Sequence, residues 1–220
     1  MKGSPLSPTA KRIVCLGDSL TLAIGSAELD KWPVKVAQEL EKEFPERYAL
    51  FIRAWNGGTT FDVLQRMTAE AFYLMPATVL VTLGVNDAHV PSHRRNPQVG
   101  TAEFASNLRE ISCLVTEAGG NTIFVVEHVP VPSPSHIPGN GKTHAENYAP
   151  YRQAVLETAG ELGCPVIDIP SLMADRGIET REIVVDDGCH LSRNGNAIYA
   201  EIIAAQLRIL LYQPDAITQL

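Results

Sequence analysis

Short apolar runs alternate with longer segments of helical periodicity along this chain. The clearest run is 78–83, which is continuous and rich in β-branched residues, while the run at 13–16 passes into a glycine, an acid and a serine at 17–19. Three further runs, at 49–54, 122–126 and 166–169, have the same apolar character. Because strands separated by helices pair in parallel, the alternation predicts a mostly parallel sheet with helices on both of its faces.

The helical segments are recognised by apolar residues that recur three or four positions apart. Pro33 opens one such segment at a favoured first position, and Ser192 is a suitable N-terminal cap for the last. The apolar faces that this spacing predicts are, in chain order, Val34, Ala37, Leu40 and Phe44; Val63, Leu64 and Met67; Phe104, Leu108, Ile111 and Val115; Tyr151, Val155, Ala159 and Leu162; and Ile198, Ile202, Ala205 and Ile209.

Segments 89–100 and 129–141 contain several prolines and are predicted to be loops. Most histidines in or beside loops (His89, His93, His128, His136 and His144) are expected to be solvated.

Composition and charge place the chain in a broad class. With 220 residues, 45% of them hydrophobic and 20% charged, we expect a tail over residues 1–10 and a single globular domain over 11–220. The net charge of -7 argues against a nucleic-acid partner, because phosphates would be repelled. No apolar run has the length of a secretory signal or a bilayer span, so the expected location is cytoplasmic. Oligomeric state is not predicted.

The four cysteines, Cys15, Cys113, Cys164 and Cys189, show none of the short spacings that bind zinc. We therefore expect buried free thiols, and we predict no metal site and no cofactor. Cys189 adjoins His190, but neighbouring side chains usually point in different directions, so a cysteine nucleophile is disfavoured.

Residues with useful chemistry follow the first three predicted strands. Ser19, Gly57 and Asn86 each lie just past a strand, and ligands of open parallel sheets bind where such strand ends converge. If the first strand lies between the second and third, these residues meet around one point. Asp18 and Asp87 are expected to hold their loops by accepting backbone hydrogen bonds.

A carboxylate and an imidazole lie three residues apart shortly before the last helix, at Asp187 and His190. A serine hydroxyl is a poor nucleophile until an imidazole accepts its proton, so His190 is predicted to be the base for Ser19 and Asp187 to orient its ring. Backbone N–H groups of Ser19 and Gly57, with the Asn86 amide, are predicted to stabilise the oxyanion.

With these residues in view, the chain resembles the SGNH hydrolases, the GDSL family of esterases and lipases. The resemblance rests on four blocks in the order of the family, which span most of the chain: Gly17-Asp18-Ser19-Leu20, then Gly57, then Gly84-Val85-Asn86-Asp87, then Asp187-Gly188-Cys189-His190. It implies a three-layer α/β/α sandwich of flavodoxin-like topology with a five-stranded parallel sheet. It further implies a catalytic triad of Ser19, His190 and Asp187, and an oxyanion hole of Ser19, Gly57 and Asn86. The second block, Asn56-Gly57-Gly58, is shorter than the usual pattern, so either glycine is a possible donor.

The predicted function is therefore hydrolysis of a carboxylic ester, with a small-molecule substrate. An acyltransferase, or a ligand-binding relative without catalysis, uses the same site and stays open. A metal-dependent phosphoesterase built on Asp18, Asn86, Asp87, His89 and His190 is less favoured, because Ser19 would then have no role. The identity of the ester, whether sugar acetate, lipid or thioester, is not encoded in any motif.

Overall fold

A computed structural model gives the structure of residues 9–133 and 137–211. Within these residues, five strands form one parallel sheet in the order β2-β1-β3-β4-β5. The strands are β1 (Lys11–Gly17), β2 (Tyr48–Ala54), β3 (Thr78–Thr82), β4 (Asn121–Val126) and β5 (Val166–Asp168). The first strand does lie between the second and third, as the predicted topology requires.

Helices connect the strands and cover both faces of the sheet. They are α1 (Ser19–Leu22), α2 (Trp32–Glu43), α3 (Thr60–Glu70), α4 (Val85–Ala88), α5 (Thr101–Glu117), α6 (His144–Leu162), α7 (Ile169–Ala174), α8 (Thr180–Ile183) and α9 (Arg193–Leu211), with 3-10 turns at Glu28–Asp30 and Phe72–Leu74. Most of the predicted tail, and His136, lie outside the described residues. No helix among those described is both long and apolar enough to cross a bilayer.

The two faces of β1 enter two different cores. Val14 and Leu16 pack with apolar residues of α3, α5 and α6, while Ile13 and Cys15 pack with those of α2 and α9. Side chains alternate along a strand, so a strand covered on both faces needs apolar residues at every position. This is why the run at 13–16 is continuous.

Two helices present different faces from those predicted. In α2 the buried residues are Trp32, Pro33, Val36 and Leu40, whereas the predicted Val34 and Ala37 are only partly covered. In α9 the buried face includes Tyr199, Ile203 and Leu207, and Ile209 is 70% exposed. In each case a large aromatic residue, Trp32 or Tyr199, is fully buried, and its volume sets the direction in which the helix faces the core.

The register of the sheet brings three strand ends to one edge. Gly17, the last residue of β1, pairs with Ala54 at the end of β2 and with Thr82 at the end of β3. The turns that follow these strands therefore begin at the same level, and they carry Ser19, Gly57 and Asn86.

Candidate active site

Ser19 is the first residue of the short helix α1, which begins directly beyond β1. Asp18 caps this helix, since its Oδ1 accepts a hydrogen bond of 2.8 Å from the Leu20 N–H. The turn also needs glycine at position 17, because a Cβ there would lie 2.2 Å from Thr21 Oγ1 and 2.7 Å from the Thr82 carbonyl oxygen. The Trp32 indole N–H donates to the Leu20 carbonyl oxygen at 2.9 Å and ties the turn to α2.

The structure brings Ser19, His190 and Asp187 together. His190 Nε2 lies 3.1 Å from Ser19 Oγ, and His190 Nδ1 lies 2.7 Å from Asp187 Oδ2. The other oxygen, Asp187 Oδ1, accepts the backbone N–H groups of Cys189 at 2.8 Å and His190 at 2.9 Å. Burial works against ionisation of Asp187, but hydrogen bonds from the His190 ring and from these two N–H groups hold its pKa below the usual range. Asp186 is exposed.

His128 packs against the loop that carries His190, and it is an exception to the expectation that most of the histidines in or beside loops are solvated. The ring is fully buried, its Nε2–H donates to the Cys189 carbonyl oxygen at 2.8 Å, and Nδ1 accepts from the Tyr199 hydroxyl at 2.5 Å. Burial lowers the pKa of His128 to about 4, so the ring is neutral. A histidine next to a strand end has no sequence signal that separates a buried support from a solvated side chain.

Asn86 lies in the one-turn helix α4, facing the turn that carries Ser19. Its Nδ2 donates to Asp18 Oδ2 at 2.6 Å, which joins the turns after β1 and β3. An amide nitrogen carries two hydrogens, so one is left for another acceptor.

The two candidate glycines after β2 differ in their hydrogen bonding. The Gly58 N–H donates to the Trp55 carbonyl oxygen at 3.0 Å and closes a tight turn. Gly57 has a φ of +69, a conformation that favours glycine, and a Cβ there would meet nothing within 4 Å. The turn thus occupies the N–H of Gly58 and leaves Gly57 on its open side.

Three carboxyl groups, those of Asp18, Asp87 and Glu127, are fully buried beneath the site. As expected, Asp18 and Asp87 both accept backbone hydrogen bonds that fix their loops. The Asp87 carboxyl group accepts from the Thr60 N–H at 3.0 Å and from the Thr60 hydroxyl at 2.5 Å. Burial raises the pKa of Asp87 to about 6. Sequence reasoning missed Glu127, whose Oε2 accepts from the Val85 N–H at 3.0 Å. It follows β4 and belongs to none of the four motifs.

Two cavities adjoin the triad, and Asp187 and His190 line both of them. The smaller, of about 140 Å³, also contacts Ser19 and Asn86; its other lining residues are Val85, Ala88, His89, Pro130, Val131, His144, Tyr148 and Cys189. The larger, of about 400 Å³, is otherwise lined by residues 24–27, Asp30, Val185 and 191–193. Gly57 lies in the neighbouring turn and does not line either cavity.

The cysteines and the carboxylates of the described residues do not form a metal-binding group. Cys15 is buried, whereas Cys113 is exposed and Cys164 and Cys189 are partly exposed, so the prediction that all four are buried is wrong. Burial raises the pKa of the Cys189 thiol, which works against the thiolate that a cysteine nucleophile requires.

Comparison with protein families places this arrangement in a known group. Residues 15–198 match the GDSL-like Lipase/Acylhydrolase family. The chain belongs to this family. The match runs from β1 into α9 and therefore includes the blocks around Ser19, Asn86 and His190, so the family predicted from the motifs is confirmed.

Relatives of this GDSL-like chain include a protein named acetylxylan esterase. An acetylxylan esterase from Xylanibacter ruminicola is 26% identical over an aligned length of 222 residues, which covers 90% of this chain and 43% of the relative. The chain thus spans less than half the length of that curated relative.

Solved structures share the fold of this family member. The lipase/acylhydrolase from Enterococcus faecalis superposes with a TM-score of 0.74 at 24% identity, over 91% of this chain and 96% of the other. The acetylxylan esterase Axe2 from Geobacillus stearothermophilus superposes with a TM-score of 0.73 at 17% identity, over 94% and 98%. Together with the observed strand order, these matches confirm the predicted three-layer α/β fold.

Proposed function

We propose that this chain is a serine esterase that hydrolyses short-chain carboxylic esters through an acyl-enzyme intermediate. One observation carries the proposal: an unbroken series of hydrogen bonds runs from Asp187 through His190 to Ser19 Oγ, beside a cavity at the edge of the sheet. Such a series activates a hydroxyl, because the imidazole can accept its proton during attack.

In the proposed reaction, Ser19 Oγ attacks the ester carbonyl carbon while His190 Nε2 accepts the hydroxyl proton. The imidazolium is stabilised by Asp187, which keeps its charge, and it then donates the proton to the leaving alcohol. Water enters, gives a proton to His190 and attacks the acyl group. The Ser19–acyl bond breaks, Ser19 recovers its proton, and the carboxylic acid leaves.

The oxyanion needs donors that are in place before the charge develops. The proposed donors are the Ser19 N–H, which has no partner within its helix because it is the first residue, and the second hydrogen of the Asn86 amide. Of the two glycines, we favour Gly57 as the third donor, because the Gly58 N–H is already bound to Trp55.

The volume of the smaller cavity favours a short acyl group. An apolar cavity of about 150 Å³ in another protein holds one benzene molecule, so the 140 Å³ beside Ser19 and Asn86 corresponds to an acyl chain of about six carbons or fewer. The names of the acetylxylan esterase relatives agree with an acetyl group. The larger cavity, which includes Asp30, Ser192 and Arg193, is the proposed place for the alcohol part of the ester.

An acyl-chain series of p-nitrophenyl esters, from acetate to laurate, tests this assignment. The expected kcat/KM is highest for esters of two to six carbons and falls for longer chains, and Ser19→Ala protein sets the background rate. A maximum of kcat/KM at ten or twelve carbons would refute the short-chain proposal. Hydrolysis of any of these esters above the Ser19→Ala background would still support the assignment as an esterase.

Two controls separate the alternatives. Activity that survives incubation with EDTA argues against a metal-dependent enzyme, and product analysis with an added alcohol separates hydrolysis from acyl transfer.

The cytoplasmic location, and the division into a tail over 1–10 and one domain over 11–220, stay predictions from the sequence.

A further inference from the structure

Glu127 is a fully buried acid that the reaction described above does not use. It follows β4, and its carboxyl group contacts the turn after β3 and the turn after β1. On one side, Glu127 Oε2 accepts the Val85 N–H at 3.0 Å, and Val85 is the residue before Asn86. On the other side, the carboxyl group lies against that of Asp18, which accepts the Asn86 amide at 2.6 Å. Glu127 therefore contacts both groups that hold Asn86.

The hydrogen bonds around the pair indicate which acid carries the proton. Asp18 accepts two, from the Leu20 N–H and from the Asn86 amide, whereas Glu127 accepts one. Hydrogen bonds to a carboxylate favour its charged form, so the negative charge belongs on Asp18. Glu127 Oε1 is buried and accepts no hydrogen bond from the described residues, so this oxygen is available to carry the proton and turn its O–H towards Asp18.

The surroundings agree with a neutral Glu127. Burial, together with the Asp18 carboxylate, raises the pKa of Glu127 well above its usual range. The other titratable groups that face it are Asp87 on α4, Tyr148 on α6, Tyr199 on α9 and Cys189. Burial raises the pKa of both tyrosines and of Cys189, so these three are neutral. Burial also raises the pKa of Asp18 to about 7 and that of Asp87 to about 6, so these two acids are the neighbours that carry negative charge from about neutral pH upwards.

We propose that Glu127 is a positioning residue of the oxyanion hole, whose neutral carboxyl group fixes the Val85 backbone and the Asp18 carboxylate and thereby sets the direction of the Asn86 amide. A support of this kind is needed because α4 is only four residues long, and a single helical turn is not stable by itself. A charged Glu127 would place a second buried negative charge beside Asp18 and disrupt the same contacts.

The proposal rests on the role of Asn86 proposed above, and a double-mutant cycle tests the two separately. The variants are Glu127→Ala, Glu127→Gln, Asn86→Ala and the Glu127→Ala/Asn86→Ala double variant, with a short p-nitrophenyl ester as substrate. Val115→Ala is the matched control, because it removes buried volume in α5, next to Gly120 at the opposite end of the sheet. Thermal melting establishes that each variant is folded at the assay temperature.

The expected loss in Glu127→Ala is about ten- to a hundredfold in kcat, less than the loss of the donor itself, with KM within about threefold of wild type. Glu127→Gln is expected to recover kcat to within about threefold, because a neutral amide can accept from Val85 and donate to Asp18. In the Asn86→Ala background, Glu127→Ala should cost no more than about twofold.

Three results would overturn the proposal: an equal loss in both backgrounds, a loss in Glu127→Gln as large as in Glu127→Ala, or an equal loss in Val115→Ala. If Asn86→Ala itself retains normal turnover, the failure lies with the oxyanion role of Asn86 instead. The two failures are thus distinguishable.

Discussion

Replacing Asp187 by asparagine is expected to abolish most of the activity without unfolding the site. Asp187 uses both oxygens: Oδ2 accepts the His190 Nδ1–H, and Oδ1 accepts two backbone N–H groups of its own loop. An asparagine has only one accepting oxygen. If that oxygen keeps the two backbone hydrogen bonds, the NH₂ group faces His190 Nδ1 and forces it to accept.

The consequence is a change of tautomer at His190. With Nδ1 accepting, the ring proton moves to Nε2, which lies 3.1 Å from Ser19 Oγ and can then no longer accept the hydroxyl proton. The corresponding substitution in a serine protease of unrelated fold costs about ten-thousandfold in turnover. We expect a loss of that order here, equivalent to about 5 kcal/mol of transition-state stabilisation.

Asp186→Asn is the matched control, because the two acids are adjacent and only Asp187 contacts the ring. The Asp186 side chain is exposed, and its backbone carbonyl oxygen, which accepts from the Ser133 hydroxyl, is kept in asparagine. The kcat of Asp186→Asn is therefore expected to stay within about twofold of wild type. Steady-state kinetics on a short p-nitrophenyl ester, with thermal melts of both variants, provide the comparison. A severe loss in Asp186→Asn with a mild one in Asp187→Asn would reverse the assignment, and mild losses in both would mean that another group holds His190.

Three further predictions concern the oxyanion hole, the support of the histidine loop and the alcohol site. Asn86→Ala is expected to lower kcat by about a hundred- to a thousandfold with little change in KM, and normal turnover would remove Asn86 from the site. The pKa of His128 is depressed from 6.5 to about 4, so its contribution to stability is complete above about pH 6.5 and is lost as the pH falls and the unfolded chain takes up the proton. His128→Asn lacks this titration, so the difference in unfolding free energy between wild type and His128→Asn should be smaller at pH 4.5 than at pH 7 by about 2 kcal/mol. If urea melts gave the same difference at both pH values, the buried neutral ring would be contradicted. Ala27→Trp, at the edge of the larger cavity, is expected to raise KM by about tenfold for esters of bulky alcohols and much less for methyl esters, and equal effects on both would place the alcohol elsewhere.

The sheet and the residues around Ser19 could be predicted from the sequence, because both depend on local patterns. Continuous apolar runs such as 13–16 are typical of strands covered on both faces, and Gly17-Asp18-Ser19 directly follows one of them. The spacing of Asp187 and His190 within one turn is likewise a local property, and in the structure the two side chains do meet at 2.7 Å.

Long-range packing explains what the sequence did not predict. The buried faces of α2 and α9 depend on where the side chains of Trp32 and Tyr199 pack in the core. The spacing of apolar residues along a helix does not predict that packing. His128 and Glu127 follow a strand in a segment that resembles a solvated loop, and their burial depends on Tyr199, Cys189 and Asp18 from distant parts of the chain. The proposed preference for Gly57 over Gly58 as a donor likewise depends on the turn, in which the Trp55 carbonyl oxygen accepts the Gly58 N–H.

The central claim is that Ser19 is the covalent nucleophile, and labelling with a fluorophosphonate tests it most directly. Intact-mass measurement and peptide mapping should find one adduct per chain, on Ser19, in wild-type protein, and none in folded Ser19→Ala protein under the same conditions. Equal labelling of Ser19→Ala, or an adduct on another residue of the wild-type chain, would contradict the account.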